Sequence, residues 1–326
     1  MAAAYLGSGT TTVISKNVFL NNGSGNMFDH SIYVSTANLV TSDLRVSENY
    51  IFGQIGDKCL GNVLTAHGML PRLKIQNNVL EIDESADTMG CYGIALDHGG
   101  YNFYTDFSDS VISGNTLSNT GGIGIAVSNC ADCLIENNVL SFNAVSNYGI
   151  SAGVYVARTE CPDKTACPDV VNTRNTIRNN TIWYGPNATF GMTGIQIKNE
   201  GTGHIVANNS ITYTATTTNG NLANCFDYTQ PITSYAFIDN NHCHAAAPHK
   251  WDWTNGATLA AWQAYSAFDA ASITAAPAFV NSAIKPYDFR PAAGSPLLGA
   301  GSSVHVPATD ITGTPFLPPP AIGAYE

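Results

Sequence analysis

The sequence is short of charge. Only 11% of its 326 residues are Asp, Glu, Lys or Arg, and just 13 are Lys or Arg, leaving a formal net charge of −11. That balance offers no broad basic surface, so nucleic acid and an anionic membrane are disfavoured as partners. A polyanionic ligand would need a local basic patch. Apolar runs of membrane-spanning length are also missing. Met1-Ala-Ala-Ala stands almost directly before the first repeat, with no charged segment followed by an apolar stretch. No signal peptide or transmembrane span is therefore expected in it, and the first turn is expected to lack a substantial cap. The apolar runs that are present are too short and too β-branched for helices.

Cysteine is not scarce. The eight stand at 59, 91, 130, 133, 161, 167, 225 and 243. An even number with local pairs, Cys161/Cys167 and Cys225/Cys243, points to disulfides and an oxidising, secreted or cell-surface setting. Zinc is the weaker reading: Cys130-Ala-Asp-Cys133 has no second such pair at ligand spacing, and His242-Cys243-His244 reads as a disulfide cysteine between surface histidines. No metal site is expected.

The dominant pattern is a repeat. Eight times an Ile or Val is followed three positions later by asparagine and two after that by another apolar residue. The asparagines are Asn17, Asn49, Asn78, Asn115, Asn138, Asn180, Asn209 and Asn241, separated by 32, 29, 37, 23, 42, 29 and 32 residues. A fixed core with elastic loops is the mark of a solenoid. Each copy reads as two short strands with a bend at the asparagine, which tolerates left-handed backbone. Stacked at a strand spacing of about 4.8 Å, each amide could bond the next, an asparagine ladder inside an apolar core. Beside such a ladder, the sequons Asn179-Asn180-Thr181 and Asn208-Asn209-Ser210 are poor glycosylation acceptors.

A second motif lies between ladder copies: Ser31-Ile-Tyr-Val-Ser35, Gly93-Ile-Ala-Leu-Asp97, Gly124-Ile-Ala-Val-Ser128, Gly153-Val-Tyr-Val-Ala157 and Gly194-Ile-Gln-Ile-Lys198. Alternation turns the aliphatic pair inward and the residues between and after it outward. Each turn thus has three strands, with residues 59–67 supplying the equivalent strand of the second turn.

The Gly-Ile-x-Val strand followed by Ile-x-Asn-Asn-x-Ile resembles the repeat of the right-handed parallel β-helix proteins of the pectate-lyase-like superfamily, over residues 12 to about 245. The tail adds to the likeness. Thr258-Leu-Ala-Ala-Trp262, Asp288-Phe-Arg-Pro291, Gly294-Ser-Pro-Leu-Leu-Gly-Ala-Gly301 and Ile322-Gly-Ala-Tyr-Glu326 look like the closing segment of many secreted bacterial β-helix proteins. The expected fold is all-β: a single-stranded right-handed parallel β-helix of about eight turns over 1–245. A C-terminal capping segment, 246–326, is expected to close the far end with a short helix around 257–267 and Pro-rich extended chain. A monomer, or end-to-end association through the open first turn, follows from the same picture.

In that superfamily the outer face of the Gly-Ile-x-Val sheet usually lines a carbohydrate groove. The motif predicts two outward columns: Tyr33, Ala95, Ala126, Tyr155 and Gln196, then Ser35, Asp97, Ser128, Ala157 and Lys198. Thr36, His98, Asn129, Arg158 and Asn199 follow at the start of the next turn, with His67 assigned to the same row. Glu160 and Glu200 lie just beyond, and Tyr101 sits in an aromatic loop after Asp97-His98. The long spacings carry insertions, 159–175 and 83–89, where loops on a rigid scaffold often hold function.

This set suits β-elimination on a uronate-containing polysaccharide, which needs a neutralised carboxylate, a base for the C5 proton and an acid for the leaving oxygen. Arg158 offers a bidentate match to a carboxylate; His98 or His67 could act near neutral pH. Tyr155 could protonate the leaving oxygen, and Lys198 is an alternative base or a subsite cation. Asp97, Tyr33, Asn129, Gln196, Glu160, Glu200 and Tyr101 would bind substrate. Each has a plainer reading as well: a turn aspartate, a sugar-stacking tyrosine, or Arg158 and Lys198 paired with Glu160 and Glu200 at the surface. No cofactor is demanded by these residues. The resemblance admits calcium, although no turn carries a dense acidic cluster. An Asp-Pro-His-Asp motif, as carried by C5-epimerases of this kind, is absent. A glycoside hydrolase drawing on Asp97, Asp106, Glu160 or Glu200 and a non-catalytic glycan-binding or adhesin module are the competing readings.

Overall fold

The computed structural model describes residues 2–5, 11–22, 29–36, 40, 43–54, 63–83, 92–97, 105–143, 151–157, 172–188, 192–198, 201–216, 223–229 and 231–326. Three parallel sheets of nine, eight and eight strands run the length of the repeat, each strand paired with its counterpart one turn on. This is a parallel β-helix. In the nine-stranded sheet the order is 2–5, 32–35, 64–67, 92–97, 123–128, 151–157, 192–198, 223–228 and 249–252. The last of these, His249–Asp252, carries the solenoid past the expected boundary at 245.

The other two sheets hold the flanks of the asparagine bend. Ile14, Val46, Ile75, Ile112, Ile135, Ile177, Val206 and Ile238 stack in one register. Phe19, Ile51, Leu80, Leu117, Leu140, Ile182, Ile211 and Cys243 stack in the other. From the second turn onward all of these are fully or almost fully buried. Between the two stacks runs the ladder: each asparagine Nδ2 donates to the next Oδ1 at 2.9–3.1 Å, from Asn17 through to Asn241. The same Oδ1 also accepts the backbone N–H of the preceding asparagine.

One detail of the bend differs from expectation. The left-handed residue is not the ladder asparagine but the one before it: Lys16, Glu48, Asn77, Gly114, Asn137, Asn179, Asn208 and Asn240 all have φ between 50° and 68°. The ladder residue must keep its side chain aimed along the stack, so the turn is made one position earlier. Asparagine and glycine bear this conformation most easily, which explains the Asn-Asn pairs in five of the eight copies.

The motif glycines have a steric cause. A Cβ on Gly153 would lie 2.8 Å from the carbonyl oxygen of Gly194 and 2.7 Å from Ile182, and Gly93, Gly124 and Gly194 meet equivalent atoms. In the following turn Cys225 takes the place of the glycine and is bridged to Cys243 across the core. Closing that 18-residue separation stabilises the fold by about 3 kcal/mol. Cys130 and Cys133 form a second disulfide, so neither is a zinc ligand. Cys161 and Cys167 lie outside the described residues.

At the far end the ladder stops on a buried carboxylate. Asn241 donates its backbone N–H to Ser272 Oγ (2.8 Å) and its amide to Asp269 Oδ1 (3.2 Å). Asp269 also accepts the indole N–H groups of Trp262 (2.7 Å) and Trp251 (3.4 Å). Trp262 comes from the helix Leu259–Ser266, whose N-cap Thr258 accepts from the Ala261 N–H. His242 is not a surface residue: it is fully buried, bonded to Ser210 and to the Ala275 carbonyl, because residues 273–275 lie along its strand.

The remaining tail does more than close the end. It runs back along the side of the solenoid, where the left-handed asparagines hold it. Asn240 donates to Ala300 O, Asn208 to Ser302 O and His305 O, Asn179 to Gly323 O and Asn137 to Thr309 O. Tyr287 and Phe289 pack on Trp183. No helix of the described chain is long and apolar enough to cross a membrane.

Candidate functional site

The outer face of the nine-stranded sheet carries the chemically varied residues. Its register aligns Tyr33, Thr65, Ala95, Ala126, Tyr155, Gln196 and Asp227 in one outward column. Ser35, His67, Asp97 and, further along, Ser128, Ala157 and Lys198 form the next. His67 therefore belongs in the second column, not in the row beyond it. Leu64 and Ala66 are the inward pair of its strand, which turns Thr65 and His67 outward. Asn129, at φ 52°, is buried in the turn that follows. His98, Arg158, Glu160, Glu200 and Tyr101 lie outside the described residues.

Two groups emerge from the columns. In the first, His67 is almost fully buried and its Nδ1 sits 2.8 Å from Asp97 Oδ1 and 2.9 Å from the Asp97 carbonyl oxygen. A proton on Nδ1 donated to Asp97 leaves Nε2 as the basic nitrogen, and Nε2 has no partner among the described residues. Tyr33 meets the His67 ring edge-on with centroids 5.2 Å apart. Behind it, His30 packs on Tyr33 and its Nδ1 lies 3.2 Å from Thr65 Oγ1.

In the second group, Gln196 donates to Asp227 Oδ2, with Lys198 Nζ 3.8 Å from the same oxygen. Between the groups lies a small apolar patch of Tyr92, Ile123, Ala126, Ala152 and Tyr155. Burial, foremost, raises the pKa of both tyrosines above the ordinary phenol value. The charge of Asp97 adds to this at Tyr92, and Tyr92 and Asp227 add to it at Tyr155. Both hydroxyls are thus protonated donors at neutral pH.

Distance separates the residues that the sequence grouped as one catalytic set. His67 and Lys198 are four strands apart, about 19 Å at about 4.8 Å per strand, and His67 and Tyr155 three strands apart, about 14 Å. Neither Tyr155 nor Lys198 can act on the bond that His67 reaches. Thr65, His30, Tyr92 and Asp227 were not picked out from the sequence. Asp227 was legible in principle: Asn224-Cys-Phe-Asp-Tyr228 is a further copy of the outward strand, disguised by Cys225 at the glycine position and by an aromatic inward pair.

Elsewhere, a cavity of about 260 Å³ lies at the seam between the tail and the solenoid, beside Glu136, Asn137 and Asp310. Its carboxylates are engaged, Glu136 by Arg178 and Asp310 by Thr312, Thr314 and the Glu326 N–H, so it offers no acid–base pair. Among the described residues no cluster of three or more His, Cys, Asp or Glu could hold a metal ion. No family model matches the chain, and no curated protein matches it.

Proposed function

We propose that the outer face of the nine-stranded sheet is a polysaccharide groove in which a uronate-containing chain is cleaved by β-elimination, with His67 as base. The observation that carries this reading is the His67–Asp97 pair. An imidazole whose Nδ1 is committed to a carboxylate presents Nε2 as the base, and Asp97 stabilises the imidazolium once the proton is taken. His67 removes the C5 proton, the electron pair forms the C4–C5 double bond, and the C4–O bond breaks. Tyr33, beside His67, is the phenol placed to return a proton to the leaving oxygen, a role that distance denies Tyr155. Lys198 is then a subsite cation several sugars away. Arg158, next in sequence to a groove residue, remains the proposed partner of the substrate carboxylate, and His98 the alternative base.

The likeness to the pectate-lyase-like superfamily supports a carbohydrate ligand, and the disulfides Cys130–Cys133 and Cys225–Cys243 support a secreted setting. Hydrolysis is less well supported. Among the described residues of the two outward columns the carboxylates are Asp97 and Asp227, about 19 Å apart, four strands at about 4.8 Å, whereas an inverting pair needs about 6.5–9.5 Å. The candidates Glu160 and Glu200 lie outside the described residues.

The test is a panel of alginate, pectate, glycosaminoglycan and neutral plant glycans, with and without calcium, followed by absorbance of unsaturated product and by reducing ends. The lyase reading expects both signals to rise together on a uronate polymer. Reducing ends alone would replace it with a hydrolase, and binding without either with a glycan-binding module.

A further inference from the structure

We infer that the Asp227 end of the groove is a specificity subsite for a neutral sugar presenting adjacent hydroxyls. The polymer taken by this face is then mixed in composition, with a uronate at His67 and neutral residues toward Asp227. The inference rests on the reading of this face as a carbohydrate groove.

Its starting point is an unequal carboxylate. Asp227 is 4% exposed, and its Oδ2 is engaged by Gln196 and approached by Lys198. Its Oδ1 is buried too and has no hydrogen-bond partner among the described residues. A carboxylate oxygen is a strong acceptor, and holding one dry and unpaired is costly. The register turns Asp227 to the outer face, in line with Tyr155 and Gln196, so the missing donor is supplied from the groove.

Charge and chemistry narrow what that donor is. A divalent cation would meet the ammonium of Lys198 beside Asp227, and among the described residues no group of three or more ligating side chains is there to hold one, the opposite of an oxygen-rich cage. A uronate would bring its own negative charge toward Asp227. A hydroxyl can donate to Oδ1, and the hydroxyl beside it can accept from Lys198, whose side chain is 35% exposed. Asp227 and Lys198 together carry no net charge, which matches a neutral ligand. Two strands along the same column, Tyr155 lies over Ala126 and Ala152 and offers an apolar ring face to a pyranose.

The experiment is calorimetric titration of the full chain with neutral hexasaccharides (cello-, manno- and xylo-) and with hexagalacturonate. Wild type, Asp227→Asn and Lys198→Gln are compared, and melting temperature is recorded for each. At least one neutral probe is expected to bind, to lose at least tenfold in affinity in D227N, and to lose a smaller factor in K198Q. Hexagalacturonate is expected to bind D227N no more weakly than wild type. Should D227N fail to fold, K198Q carries the test alone. Absence of neutral binding by the wild type overturns the inference, as does a neutral affinity that both variants leave unchanged. A protein that binds neutral sugars through Asp227 yet releases no unsaturated product would instead overturn the β-elimination reading and leave this subsite standing.

Discussion

The ladder and the outer column run along the same stack at the same spacing, yet they are built in opposite ways. In the ladder all eight positions are asparagine, and each amide between the two ends is both donor to the next turn and acceptor from the last. In the outer column the series runs Tyr33, Thr65, Ala95, Ala126, Tyr155, Gln196, Asp227. The difference lies in coupling. A changed ladder residue strands polar atoms on two turns at once, whereas the outward residues, most of them buried as well, share no bond that repeats along the whole column. Repetition in the first column is forced by the hydrogen bonds; variety in the second is what makes room for chemistry.

The sharpest way to break that contrast is inside the ladder. Asn138→Leu removes the acceptor for both the amide and the backbone N–H of Asn115 and leaves Asn180 Oδ1 without its amide donor. A loss of roughly 3–5 kcal/mol in unfolding free energy by urea titration is expected. A loss under about 1 kcal/mol would mean that the ladder is not the coupled device described.

The next effect is at the ladder's end. Burial pushes the Asp269 carboxyl up to about 6, against the pull of its four donors. A folded-state pKa above the unfolded one means that the native state holds the proton longer, so stability falls as pH rises from about 4 to about 6. The size is about 3 kcal/mol, at about 1.36 kcal/mol per pKa unit. Burial raises Asp252 as well, and it acts in the same direction. Buried His242, its pKa lowered to about 4, works in the opposite direction over the same window. The Asp269 contribution is therefore read as the difference between wild type and Asp269→Asn in urea titrations, which should decline from about pH 4 to about pH 6. A difference between wild type and Asp269→Asn that is flat or rises over the same range would contradict the assignment.

A smaller effect tests the tail. Asn208→Gly keeps the left-handed backbone but deletes the bonds to Ser302 and His305. A cost of roughly 2 kcal/mol is expected, together with faster hydrogen exchange in 297–326 than elsewhere. Uniform acceleration over the whole solenoid would show that the tail is not a separately held strap.

What could be read in advance follows the same division. The eight asparagines and their apolar flanks announced the solenoid because the hydrogen bonds force identity at a legible spacing. The outward order of Tyr33, Ala95, Asp97, Tyr155, Gln196 and Lys198 followed from alternation alone. His67 was misplaced because Val63-Leu-Thr-Ala-His67 lacks the glycine that anchors the register elsewhere. Asp227 was missed because a disulfide cysteine and two aromatics replace the usual core residues of its strand. The left-handed position before each ladder asparagine was hidden in the first two turns, where Lys16 and Glu48 occupy it. The return path of the tail depends on side chains 60 to 172 residues away from their partners, contacts that no local pattern encodes.

The central claim, that an outward residue of this stack carries chemistry without carrying the fold, is tested most directly by His67→Asn. Asparagine keeps a donor toward Asp97 and removes the basic Nε2. Product formation on a uronate polymer and unfolding free energy should be measured on the same preparation. A fall of about 10²–10⁴ in rate is predicted, with stability within about 1 kcal/mol of wild type. An unchanged rate, or a stability loss as large as that of Asn138→Leu, would contradict the account.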